Sequence, residues 1–171
     1  VRVLDEVGGV LKAGDLVCMR STFPVGASRK FVLPKLEHKS GLRAGKDFMF
    51  AFAPERTMEG RALSELRENT QIIGGVSRMC VDAAAQFFHR LTPTIVTMSS
   101  MEAAEMVKIM DNTYRDVRFA YANELALVAE HIGIDVLEVI KAANIHYPRN
   151  NIPVPSPGVG GACLSKDPYI L

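Results

Sequence analysis

Cys163 stands in the stretch GVGGACLSKDP, with three glycines close before it and Lys166 and Asp167 close after it. Glycines let a backbone approach a ligand closely, and exposed N–H groups beside them can stabilise a developing oxyanion. A thiol in that setting is placed as a nucleophile. It needs a cation nearby, because a free thiol with a pKa of about 8.5 is only a few per cent thiolate at neutral pH. The plain alternative is a small buried hydrophobe, the usual state of a free cysteine. That alternative is the reading for Cys18, inside an apolar run, and for Cys80, at a helix start.

Lys108 and Asn112 are four residues apart in a helical stretch and so share a face, one turn above the other. With Ala104 and Val107 beside them the pair can point inward, where a lysine serves acid–base or oxyanion chemistry and an asparagine supplies a neutral donor. The alternative is a solvated polar pair. Asp167, four after Cys163, could hold Lys108, cap a helix beginning near Pro168, or do both. A second polar cluster, APERTMEG, puts Glu55 and Glu59 directly after an apolar run, where open α/β sheets bind ligands and where carboxylates suit general-base work on water. Ser21-Thr22 occupies the equivalent edge after another such run. His38, His89, His131 and His146 show no ligand spacing, so no metal is assigned.

The elements that must position these groups follow from the apolar pattern. Residues 15–20, 47–52, 71–74 and 94–98 read as strands, and 81–91 as a helix. Between Gly26 and Gly41 the spacing of Phe31 and Leu36 is helical, with Pro34 expected to bend or interrupt it. Strands alternating with helices argue for a parallel α/β sheet. From Ser99 to Ile132 there is neither Gly nor Pro, and the composition favours one helix of about thirty residues, roughly 45 Å long. Ser99 with Glu102 has capping-box spacing, and Gly133 supplies the C-terminal stop. Asp135 and Glu138 repeat that spacing before a short helix reaching about Ala143, after which a long Gly- and Pro-rich loop carries Cys163. Residues 1–98 therefore read as a piece of an open α/β domain, and 99–171 as the start of an all-helical domain built on one long helix.

Twenty Lys and Arg against nineteen Asp and Glu give no electrostatic reason to expect nucleic acid or an anionic membrane surface as partner. No apolar run approaches a membrane span of about 20 residues, so a cytoplasmic protein is expected. Three cysteines without CxxC spacing argue against both a disulfide framework and a zinc site. The chain opens without Met, inside an element, and contains no GxGxxG turn, so a fragment is expected, one catalytically inert by itself.

Together the stretches STFPVG, APERTMEG, IIGG, EMVKIMDNTYRDVRFAYANELA, GIDVLEVIKAAN and PGVGGACLSKDPYIL resemble the nucleotide-sugar 6-dehydrogenases, the family of the UDP-glucose, GDP-mannose and UDP-N-acetylhexosamine dehydrogenases. The resemblance implies the second half of a Rossmann-like NAD-binding domain over 1–98 and a central helical domain over 99–171, with a homodimer made through the long helix 99–132. It implies NAD as cofactor, a UDP-sugar as substrate, and oxidation of the sugar C6 alcohol to a carboxylate through a thiohemiacetal and a thioester on Cys163. Lys108 and Asn112 would then stabilise the oxyanion, Glu55 with Thr22 would orient or deprotonate water, and Asp167 would support Lys108 and the water. Thr22, Glu59 and Lys166 would lie near the cofactor, and Glu55, Arg56, Lys108, Asn112, Arg149 and Gly161 against the substrate.

One departure bears on the sugar. UDP-glucose enzymes extend the Pro-Glu motif with Phe-Leu-Arg-Glu-Gly, whereas Arg56-Thr57-Met58-Glu59-Gly60 follows Glu55 here. That form is more similar to the UDP-N-acetylmannosamine and UDP-N-acetylglucosamine branch, so UDP-N-acetylmannosamine is the expected substrate and UDP-glucose the alternative. Two readings of other classes remain. A two-electron β-hydroxyacid dehydrogenase also pairs Lys and Asn on a long helix but does not need the cysteine, and a non-catalytic dimerisation module needs neither.

Overall fold

The computed structural model describes residues 2–171. Four short strands, β1 (Leu16–Met19), β2 (Met49–Phe52), β3 (Gln71–Gly75) and β4 (Ile95–Thr97), form one sheet in the order β1-β2-β3-β4. All four lie where the apolar runs place them. β1 pairs with β2 and β3 with β4 in parallel, as alternation with helices predicts, while β2 and β3 run antiparallel with Phe52 opposite Gly74. The reason lies in the connection between them. Its helix α3 (Ala62–Glu68) has no buried residue and so does not cover the sheet as a crossover helix would.

The sheet buries both faces. Successive strand residues point to opposite sides, so Phe48, Phe50 and Phe52 pack with Leu36, Ile72, Met101 and Ala104, while Ala51 and Ala53 face Ile73, Val81, Ala84 and Phe88. The first face is covered by α1 (Arg2–Val10), α2 (Leu33–Ser40) and the start of α5 (Met101–Ile132), and the second by α4 (Arg78–Phe88). Small residues at Ala51 and Ala53 let α4 come close. The Gly74-Gly75 pair serves both sides: a Cβ on Gly75 would stand 2.9 Å from Val81 of α4, and one on Gly74 2.2 Å from the Ser100 carbonyl oxygen at the entrance to α5.

Pro34 does not break its segment. A turn of π-helix, Ser28–Val32, leads without a break into α2, and the proline follows it in the first turn of α2. Helix α4 begins three residues earlier than the apolar pattern implies, since Ser77 is its cap and accepts from the Cys80 N–H. The cap of α5 is Ser100 rather than Ser99: its hydroxyl accepts the Ala103 N–H at 3.1 Å, while Glu102 is held by Arg29. At the other end Gly133, with φ of +74°, lets the Ile134 N–H reach the Ala129 carbonyl at 3.0 Å, the closing bond of a Schellman motif. Asp135 then caps α6 (Val136–Asn144) by accepting the Leu137 N–H.

The chain divides into two compact units, Val1–Lys108 and Ile109–Leu171, so the division falls within α5. At 32 residues α5 is about 48 Å long. It carries an exposed apolar stripe of Met106, Met110, Tyr114, Val117 and Tyr121, at spacings of three and four. Among the described residues no helix is long and apolar enough to cross a membrane.

Candidate active site

In the first unit the site is built on the edge where β1 and β2 end. Because the two strands are parallel, they deliver Arg20-Ser21-Thr22 and Pro54-Glu55 to the same side of the sheet. The antiparallel β3 starts there with Gln71. Arg20 Nη2 donates to Glu55 Oε2 at 2.6 Å and Nη1 to Gln71 Oε1 at 3.2 Å, and the Thr57 N–H donates to Glu55 Oε1 at 2.8 Å. Burial alone pulls the Glu55 carboxyl up, but Arg20 and the Thr57 donors outweigh it and hold the pKa down to about 2. A carboxylate with that value orients water well and is a weak base. Thr22 is half-buried two residues after Arg20, and Glu59 is exposed in the turn closed by Gly60, whose φ is +81°. Arg56 reaches the Thr70 carbonyl at 3.5 Å and, with Arg20, Glu55, Thr57, Glu65 and Gln71, lines a cleft at this edge.

The loop that carries Thr22 is fastened by a buried acid. Glu105, 1% exposed on α5, accepts the Gly26 N–H at 2.5 Å and the Ser28 N–H at 2.9 Å. One turn earlier Glu102 takes the Arg29 guanidinium through two contacts, at 2.6 and 3.4 Å. Lys108 follows Glu105 by three residues and is half-buried on the stripe of α5 that also carries Met101, Ala104 and Asn112.

In the second unit Asn112 and Asp167, four per cent and zero per cent exposed, meet through a 2.6 Å hydrogen bond from Asn112 Nδ2 to Asp167 Oδ2. Lys166 Nζ donates to the other carboxylate oxygen. Asp167 is therefore not the cap of the short 3₁₀ turn Asp167–Ile170, which has no side-chain cap; its carboxylate is spent on Asn112 and Lys166. Cys163 is exposed one turn before, and its carbonyl accepts the Lys166 and Asp167 N–H groups at 3.2 and 2.9 Å. Gly161, with φ of +91°, starts that turn, and beside Gly158, Gly160 and Gly161 nothing stands within 4 Å of where a Cβ would be. The thiol thus sits in an open, glycine-lined loop above a buried amide–carboxylate pair. Arg149 is exposed and lies over the Tyr147 ring at 4.6 Å. The rest of the loop is tied down by Asn144, which exchanges two bonds with Ile152, and by Asn123, which accepts the Ser156 N–H.

The other thiols differ. Cys80 is buried under Ser77, and burial raises the Cys18 thiol to about 11 against the pull of Arg20. Among the described residues no group of three or more His, Cys, Asp or Glu is placed to hold a metal ion. Sequence reading missed Arg20, Gln71 and Glu105. Only Glu105 left a trace, as a charge on the apolar stripe of a helix.

Two family models match: the NAD binding domain of the UDP-glucose/GDP-mannose dehydrogenase family over residues 1–92, and its central domain over 102–171. The chain is 45% identical over 170 residues to UDP-N-acetyl-D-mannosamine dehydrogenase of Pyrococcus horikoshii, covering 99% of this chain and 40% of that protein. It is 40% identical to NDP-N-acetyl-D-galactosaminuronic acid dehydrogenase of Ralstonia solanacearum, covering 96% of this chain and 40% of the relative. The solved structure of the Pyrococcus horikoshii UDP-D-ManNAc dehydrogenase superposes with a TM-score of 0.93 at 46% identity, over 99% of this chain and 40% of that one. The chain thus spans about 40% of the length of these relatives and belongs to the UDP-glucose/GDP-mannose dehydrogenase family.

Proposed function

We propose that this chain is the part of an NAD-dependent nucleotide-sugar 6-dehydrogenase that carries the reactive thiol, with UDP-N-acetylmannosamine as substrate. The observation that carries the reading is an exposed cysteine in a glycine-lined turn whose own N–H partners, Lys166 and Asp167, lead into the buried bond to Asn112. The Pro-Glu-Arg form of the loop after β2, and the names of the relatives, favour an acetamido sugar over glucose.

For the cofactor, the residues present suit the nicotinamide end. β1 delivers the Thr22 hydroxyl to the sheet edge, a group that binds ribose hydroxyls and a carboxamide, and Glu59 and Lys166 are the further candidates. NAD, when bound, accepts the hydride in each of the two oxidations. In the first, the C6 hydroxymethyl loses a hydride and a proton and becomes an aldehyde. The Cys163 thiolate adds to the aldehyde carbon and forms a C–S bond, while Lys108 and Asn112 hold the oxygen, which takes a proton to complete the thiohemiacetal. Loss of the second hydride from C6, with the hydroxyl proton, leaves a thioester. Water oriented by Glu55 and Thr22 attacks the carbonyl carbon, the C–S bond breaks, the thiolate returns and the sugar leaves as carboxylate. Asp167 fixes the amide of Asn112 so that its remaining donor points at the oxygen, and Arg56, Arg149 and the open space at Gly161 are the proposed substrate contacts.

A second copy of the chain is the proposed partner of the exposed stripe on α5, which is too apolar to be a solvated face. Three free cysteines suit a reducing compartment, the cytoplasm. The test is a substrate panel with the product of the full open reading frame that encodes this sequence. The highest kcat/KM is expected on UDP-N-acetylmannosamine with the uronate as product; a preference for UDP-glucose or GDP-mannose would overturn the sugar, and no oxidation of any of them would overturn the function.

A further inference from the structure

The strand-edge cluster deepens the function just proposed and rests on it. We propose that Arg20 is a positioning residue of this site, clamping the Glu55 carboxylate in the orientation from which it acts on water. The guanidinium is itself fixed from three sides. It donates to Glu55 at 2.6 Å and to Gln71 at 3.2 Å, and it lies 5.0 Å over the ring of Phe88 on α4. Gln71 cannot turn away, because its amide is buried and its Nε2 donates to the Pro54 and Ile72 carbonyls at 3.3 and 2.9 Å, which forces its oxygen toward Arg20. One arginine therefore ties the end of β1 to β2, β3 and α4.

The consequence for Glu55 is geometric. A carboxylate has about four lone-pair sites, and here Oε2 accepts from Arg20 and Oε1 from the Thr57 N–H, with the Thr57 side chain a further hydrogen-bond partner, so the plane of the carboxylate and the direction left for water are set by these partners. The groups that face Glu55 are Arg20 from β1, Gln71 from β3 and Thr57 on its own loop, with Arg56 and Glu65 lining the same cleft. Glu65 is turned to the Met58 N–H at 2.8 Å and Arg56 toward the Thr70 carbonyl. Arg20 supplies Glu55 with a charge-assisted bond at 2.6 Å. With it in place the carboxylate stays ionised and is a weak base, so it accepts the proton of water as the new C–O bond forms rather than before. Lysine in its place is a point charge without the fork that reaches two partners at once.

The test compares Arg20→Met, Arg20→Lys and Glu55→Gln in the product of the full open reading frame, on the sugar nucleotide that turns over fastest. Arg20→Met is expected to lower kcat about tenfold or more with KM changed by less than about threefold, and to add an acid limb in the ordinary carboxylate range of the kcat profile, with Arg20→Lys recovering part of the loss. A second readout needs no turnover: the ¹³C carboxyl resonance of Glu55, assigned by its loss in Glu55→Gln, titrates at about 2 in the parent and within the ordinary carboxylate range in Arg20→Met. Parent-like kcat and titration in Arg20→Met would overturn the proposal. So would a joint fall in kcat and melting temperature with an unmoved titration and no recovery in Arg20→Lys, which is what plain loss of packing predicts. A Glu55→Gln enzyme that turns over like the parent overturns instead the role given to Glu55 on water.

Discussion

Removing the Asn112 amide isolates what the buried pair in the second unit is worth. In the native chain Asn112 Nδ2 lies 2.6 Å from Asp167 Oδ2, and neither side chain has water to turn to, at four and zero per cent exposure. Asn112→Ala leaves a carboxylate oxygen buried without that donor. A hydrogen bond to a charged group contributes about 1.5–3 kcal/mol, and an orphaned charged acceptor costs at least as much. Lys166 still serves the other oxygen, so the loss falls near 2 kcal/mol rather than at the larger cost of an unpaired buried charge (roughly 3–5 kcal/mol). At about 2–4 °C per kcal/mol for a chain of this size, the melting temperature drops by about 4–8 °C. The assay is thermal unfolding followed by circular dichroism on Asn112→Ala, Asp167→Ala and the double variant. The cycle is expected to return a coupling of about 1.5–3 kcal/mol, with the double variant little worse than the worse single. A coupling under about 0.5 kcal/mol would refute the claim that these two residues form one unit, and with it the account of how the Cys163 turn is held.

Three further outcomes follow from other features. The depressed pKa of Glu55 means that its contribution to stability is complete above its ordinary value of 4.5 and is lost as pH falls toward about 2; Glu55→Gln should therefore flatten the fall in melting temperature across that window, by a small amount because the pair is part-exposed. Gly74→Ala drives a Cβ to 2.2 Å from the Ser100 carbonyl oxygen, a backbone atom at the entrance to α5, and should cost ~3 kcal/mol or more in denaturant unfolding, whereas Gly60→Ala meets open space and should cost only the strain of its positive φ. Iodoacetamide at neutral pH should modify Cys163 first, since Cys80 is buried and burial raises the Cys18 thiol to about 11; peptide mapping that finds Cys18 labelled ahead of Cys163 would contradict the placement of the thiols.

Much of this was legible in the residues. All four strands stand where apolar runs meet turn residues, and a stretch of more than thirty residues without Gly or Pro could be little else than the helix α5. What escaped had weak local signals. Helix α1 packs Leu4 and Val7 on the core at helical spacing, but the segment is short and its Gly-Gly pair, of which Gly8 is demanded by the close approach of Lys39, reads as a break, while α3 buries nothing and so has no apolar face to find. The antiparallel β2–β3 pair is invisible to a pattern that scores strands one at a time, because orientation is decided by whether the intervening helix packs on the sheet. At the site, Cys163, Asp167, Lys108 and Asn112 were marked by type and spacing. Arg20, Gln71 and Glu105 were not, because their roles arise from contacts across 35 to 79 residues of sequence, which no local window spans.

The most direct test of the central claim is the number of NADH formed per sugar nucleotide by the product of the full open reading frame, with the parent and Cys163→Ala side by side. The account predicts two NADH and a uronate from the parent, and from Cys163→Ala a loss of the second NADH with the aldehyde left to be trapped. One NADH from the parent, or two from both proteins, would contradict it and return Cys163 to an ordinary surface thiol.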